Sequence, residues 1–121
     1  MNNDRRKRID ALADTVREYN GELAGLFERA NAVIAEINDK IEEAKSVLIG
    51  ELEEIRDEEQ EAFDNMPEGF QNGERGELAQ EAINNLETAI GYLEALDAID
   101  DLNEVELEGE VADSLEMASN G

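Results

Sequence analysis

The stretch "DNMPEGFQNGERGE", residues 64–77, holds the chain's only proline and three of its nine glycines. Pro67 lacks an N–H and clashes with a preceding helical turn, and it pushes Met66 out of the α region. Gly69, Gly73 and Gly76 permit tight turning. A phosphate-cradling loop would need a Lys-Ser/Thr after the glycines, and Glu68, Glu74 and Glu77 would repel an anion there. The stretch therefore reads as a bend between two helices. Phe70 is expected to tuck into it as a plug, and Asn72 to cap the second helix.

Upstream, apolar residues step by three and four: Ile9, Leu12, Val16, Tyr19, Leu23, Leu26, Ala30, Val33, Ile37. This is a heptad seam. From Ile37 the steps become Ile41, Ala44, Leu48, Leu52 and Ile55, which interrupts the strict repeat. The spacing predicts one helix over about 3–64, roughly 90 Å long at ~1.5 Å per residue. Gly21, Gly25 and Gly50 each cost about 1 kcal/mol in its interior. A break at Asn20-Gly21, folding the chain into a three-helix bundle, is the structural alternative. Downstream, Ala79, Ile83, Leu86, Ile90 and Leu93 predict a second helix over about 74–101. A hairpin in which residue 64 faces residue 77 brings Asp97, Asp100 and Asp101 beside Lys40 and Lys45. Residues 1–101 then form an all-α hairpin with loop 65–73, and the acidic tail 102–121 is expected to be weakly ordered.

This register leaves Ile9 to Ile37 uncovered. Exposing those side chains forfeits roughly 1.5–3 kcal/mol for each large one. A second copy is the simplest cover, so Ile9, Leu12, Val16, Tyr19, Leu23, Leu26, Val33 and Ile37 are the expected oligomer interface.

The 121 residues carry 33 acidic and 10 basic side chains, a formal net charge of −23. Residues 1–56 hold 13 acids and nine bases, while residues 57–121 hold 20 acids and one base, Arg75. Arg5, Arg6, Lys7 and Arg8 make a basic tip. Such a balance argues against nucleic acid or an anionic membrane as direct partner. No apolar run approaches the ~20 residues of a membrane span. The N-terminal "NNDRRKRIDALAD" has no apolar core behind its basic residues and does not read as a signal peptide. A cytoplasmic location, in the host if the chain is phage-encoded, is the expectation; a virion location is the alternative.

Histidine and cysteine are absent, which removes the usual general base, the thiolate nucleophile and most zinc ligand sets. No catalytic residue, cofactor or metal site is assigned. "DAIDDLNEVELE" lacks the glycine and alternating acids of an EF-hand loop. Asp97, Asp100, Asp101, Glu104, Glu106, Glu108 and Glu110 are instead the candidate contacts for a basic partner surface. Could they imitate DNA? Duplex DNA has one charge per ~1.7 Å of axis, whereas residues 77–101 as a helix offer one per ~5 Å. Mimicry is permitted only for an assembled form. A cage holding a small signalling molecule would need a cationic pocket, for which Arg17, Arg29 and the tip are the available cations.

The segment "ELEEIRDEEQEAFDNMPEGFQNGERGELAQEAINNLETAIGYLEAL", residues 51–96, joins an acidic helix end, Asp-Asn-Met-Pro-Glu, a Gly-Glu-Arg-Gly turn and an Ala/Ile/Leu/Glu helix. In this it resembles small acidic helical proteins of tailed phages and prophages. The resemblance implies a phage setting and carries no functional residues. The expected function is non-enzymatic protein–protein binding that antagonises a host defence or nucleic-acid-binding protein. The alternative is a virion or assembly component of scaffold-like or tail-associated type.

Overall fold

The computed structural model describes residues 2–120. Among these the regular structure is helical: α1 Asn3–Asp64, α2 Glu68–Gln71, α3 Glu74–Glu94 and α4 Glu110–Asn120. Two compact units form, Met1–Ala35 with Asp100–Gly121, and Glu36–Ile99. Helix α1 is continuous through Asn20-Gly21. The interior glycines lower helix propensity without adding a steric demand, so there is no local reason to break.

In the Glu36–Ile99 unit the buried positions come from one face of α3: Gly76, Ala79, Ile83 and Ile90. Their steps of three, four and seven keep them on one stripe. Half-buried Ile41, Ile49, Leu52 and Phe63 stand eight, three and eleven residues apart and likewise keep to one face of α1. Two hydrogen bonds set the antiparallel register. Gln71 Nε2 donates to the Phe63 carbonyl at 3.0 Å, and Lys45 Nζ donates to the Leu96 carbonyl at 2.9 Å. With residue 64 facing residue 77, position 96 is the one opposite 45, so the hairpin is legible in the sequence.

Several local expectations need correcting. Gln71, and not Phe70, fills the bend: its amide donates to the Phe63 carbonyl in the last turn of α1, which also accepts the Met66 N–H at 3.1 Å. Phe70 is exposed, and its ring lies under the Arg75 guanidinium at 5.5 Å. The N-cap of α3 is Gly73 without a side-chain hydrogen bond, while Asn72 closes α2. Gly76 sits where an added Cβ would meet the Gln71 carbonyl oxygen at 1.8 Å, so the backbones of α2 and α3 approach as only glycine allows.

Helix α3 ends at Glu94 rather than at Asp101. Asp97, Asp100 and Asp101 would place three carboxylates at the negative end of a helix dipole. The chain leaves the helix instead, and Asn38 takes up its main chain: the Ile99 N–H donates to Asn38 Oδ1 at 2.7 Å, and Asn38 Nδ2 to the Ile99 carbonyl at 2.8 Å. Lys45 relieves the end of α3 through the Leu96 carbonyl rather than through those carboxylates, and Lys40 pairs with Glu43 at 2.8 Å.

In the other unit the tail is structured. Residues 100–107 have no regular secondary structure, Glu108 and Gly109 turn the chain with Gly109 at φ +85°, and α4 follows. Leu107, Ala112, Leu115 and Ser119 are half-buried, as are Ile9, Ala13, Val16, Leu23 and Phe27 of α1; Ala13 shares a groove with Ala112, Leu115 and Ser119, and Leu23 and Phe27 share another with Leu102. Ser119 Oγ donates to Asp10 Oδ1 at 3.0 Å, tying the end of α4 to the beginning of α1. The expectation of a weakly ordered tail is thus overturned: its Leu107, Ala112 and Leu115 supply the apolar spacing that one face of α1 needs.

Candidate functional site

The extended segment is held by asparagines. Asn31 Oδ1 accepts the Leu102 N–H at 2.7 Å, and Asn31 Nδ2 donates to the Leu102 carbonyl at 3.2 Å. Asn20 Oδ1 accepts the N–H groups of Leu107 and Glu108 at 2.7 and 3.4 Å. A carboxamide offers one acceptor and one donor side by side, as a neighbouring β-strand residue would. It therefore satisfies main-chain groups of a strand that has no sheet. The spacing is commensurate. Asn20 to Asn31 is about 16 Å along a helix at ~1.5 Å per residue, and Leu102 to Leu107 is about 16 Å of extended chain at ~3.3 Å per residue.

Most of this strap is open to solvent, its Leu102 and Val105 included. Leu107 turns towards α1 and is half-buried, whereas Glu104, Glu106 and Glu108 are exposed. With Asp100, Asp101 and Glu110, also exposed, they make an acidic edge. Asp97, in the other unit, is exposed as well. Six of the seven acids singled out from the sequence are thus exposed on the strap and the start of α4 within one unit.

The expected oligomer residues separate into two groups. Ile9, Val16 and Leu23 are half-buried, while Leu12, Tyr19, Leu26, Val33 and Ile37 are exposed. The basic tip, Arg5, Arg6, Lys7 and Arg8, is exposed, and its helix start is capped by Asn2, whose Oδ1 accepts the Arg5 N–H at 2.9 Å. Arg17 pairs with Asp14 at 2.8 Å, one turn away on its own helix. A shallow groove lined by Asp10, Arg17, Glu108, Asp113 and Ser119 runs between α1 and α4.

Asn20, Asn31 and Asn38 escape a reading of the apolar pattern. Their signal is spacing: they stand 11 and seven residues apart, close to three and two helical turns, so they share a face with Phe27, Ile34 and Ile41. Amides on an apolar face of a long helix ask for main-chain partners, because Asn is a poor helix-interior residue and its unpaired burial is costly.

No helix is long and apolar enough to cross a membrane among the described residues. No protein family matches the chain, and neither curated proteins nor solved structures give a match.

Proposed function

We propose that this chain is a non-enzymatic binding protein that presents the acidic edge Asp100–Glu110 to a basic surface on a partner protein, in a phage or prophage setting where it antagonises a host protein. The observation that carries the reading is the anchoring of the strap by Asn31 and Asn20. A free acidic tail loses conformational entropy on binding; one already held in extended form loses less. Alternate carboxylates Glu104, Glu106 and Glu108 repeat every ~6.6 Å along such a strand. That is too sparse for a faithful copy of duplex DNA at one charge per ~1.7 Å, so the favoured partner is a protein with spaced Arg and Lys. Asp97 lies in the other unit and does not belong to this edge.

The test uses a fluorescent Arg/Lys-rich peptide of about 20 residues as a probe of charge-steered association. Its affinity for the intact chain should fall steeply between about 50 and 300 mM salt. Neutralising Glu104, Glu106 and Glu108 to Gln should weaken it about tenfold or more at low salt. The pair Asn20→Ala with Asn31→Ala, which keeps every charge, should weaken it less but measurably. Equal binding by the triple-glutamine variant refutes the edge.

A second reading, a structural component assembled from many copies, is favoured by the exposed apolar row on α1. Abundant copies in purified particles would support it over the first.

A further inference from the structure

Leu12, Tyr19, Leu26 and Val33 stand seven residues apart on α1, and each is between 53% and 57% exposed. On a straight helix a seven-residue row drifts by ~20° per repeat and stays in line only if the helix supercoils about a partner. The C-terminal segment is anchored on the flank of this row, at Asn20, Asn31 and Asp10, and although its Leu102 borders Leu26 and Ala30 it leaves Leu26 54% exposed. We propose that this row is covered by the same face of a second copy, running antiparallel about a two-fold axis between Leu23 and Leu26, so that the row packs against Val16, Leu23 and Ala30 of that copy.

Charge selects that occupant and that register. Residues 1–35 carry six acids and six bases, so this stretch is neutral in a chain of net charge −23, and here two copies approach with least repulsion. In an antiparallel coil the a and d positions alternate across the seam, and the flanking positions meet their own kind. With Val16, Leu23 and Ala30 as a and the exposed row as d, Leu23 meets Leu26 of the second copy. Tyr19 then meets Ala30, and Val16 meets Val33. Val16 and Leu23 are only half-covered by their own chain and have a flank to give.

The same register sets Glu22 opposite Arg29 of the second copy, and by symmetry Arg29 opposite Glu22. Among the described residues neither is in an ion pair within the chain. Sliding one heptad one way sets Glu22 against Glu22; sliding the other way sets Arg29 against Arg29. A parallel pair would set both beside Phe27 and Ile34, where no charge waits. One arrangement is attractive at both positions and its neighbours are penalised, which is how coiled-coil register is specified.

This dimer is independent of the acidic edge, whose residues lie on the strap. The two are also opposite in salt dependence: screening the net charge should strengthen the dimer, while it weakens charge-steered binding. Sedimentation equilibrium of the intact chain at physiological salt should give twice the 13.4 kDa chain mass. Leu26→Asp should give a monomer with unchanged helical circular dichroism, since Leu26 is exposed in the single chain. Glu22→Arg or Arg29→Glu alone, each creating two like-charge contacts, should raise the dimer dissociation constant roughly tenfold. The double variant Glu22→Arg with Arg29→Glu should return it close to the original. The proposal is overturned by a monomeric intact chain up to about 200 µM, where a stable dimer would be populated. A larger assembly, a dimer indifferent to Leu26→Asp, or a double variant as weak as the single ones also overturns it.

Discussion

Replacing Gly76 by alanine should destabilise the protein although alanine is the better helix former. The site lies in the first turn of α3 and is buried. A Cβ there would fall 1.8 Å from the Gln71 carbonyl oxygen, 2.4 Å from its carbon and 2.7 Å from its Cα. All three are main-chain atoms, so no rotamer change relieves the overlap; α2 and α3 must separate. Overpacking of this kind costs ~1–3 kcal/mol. Separation also endangers the Gln71–Phe63 hydrogen bond at 3.0 Å, worth about 1 kcal/mol. Against this stands about 1 kcal/mol gained from helix propensity. The net loss is about 1–3 kcal/mol. Gly91→Ala is the control, because it lies in the same helix with nothing within 4 Å of its Cβ position. It should gain up to about 1 kcal/mol. Urea unfolding followed at 222 nm reads both, with unchanged m-values required for a like comparison. If Gly76→Ala is as stable as the parent, the close approach of α2 and α3 is wrong.

Asn31→Ala should cost about 1 kcal/mol, because the Leu102 N–H loses its acceptor and gains only water; amide exchange at Leu102 should accelerate while that of the α3 core stays slow. Gly109→Ala forces a side chain into the left-handed region at φ +85° and should cost ~1–2 kcal/mol. It should be seen as loss of α4 helicity by carbon chemical shifts, with Gly109→Asn milder because Asn tolerates that region.

Helix α1 and the bend were legible because each follows from neighbours in sequence. Steps of three and four from Ile9 to Ile55 demand a helix, and Pro67 with three nearby glycines ends it. Even the position of Lys45 against Leu96 follows from counting back from the turn. The anionic balance and the seven acids on the C-terminal part were equally plain, since charge is a property of composition. Their presentation was not. Glu104, Glu106 and Glu108 looked like a solvated tail because residues 102–108 have too few apolar side chains to order themselves.

What orders them lies far away in sequence: Asn31 is 71 positions before Leu102, and Asn20 is 87 before Leu107. A local pattern records what a residue requires, not who supplies it. The amino-acid sequence alone determined a long amphipathic helix, one bend and an acidic half, because backbone sterics, periodicity and charge act within a few residues. The tertiary structure decided that the C-terminal segment covers one flank of α1 and leaves the row from Leu12 to Val33 open, because long-range pairing is settled by which main-chain groups find partners when distant segments meet.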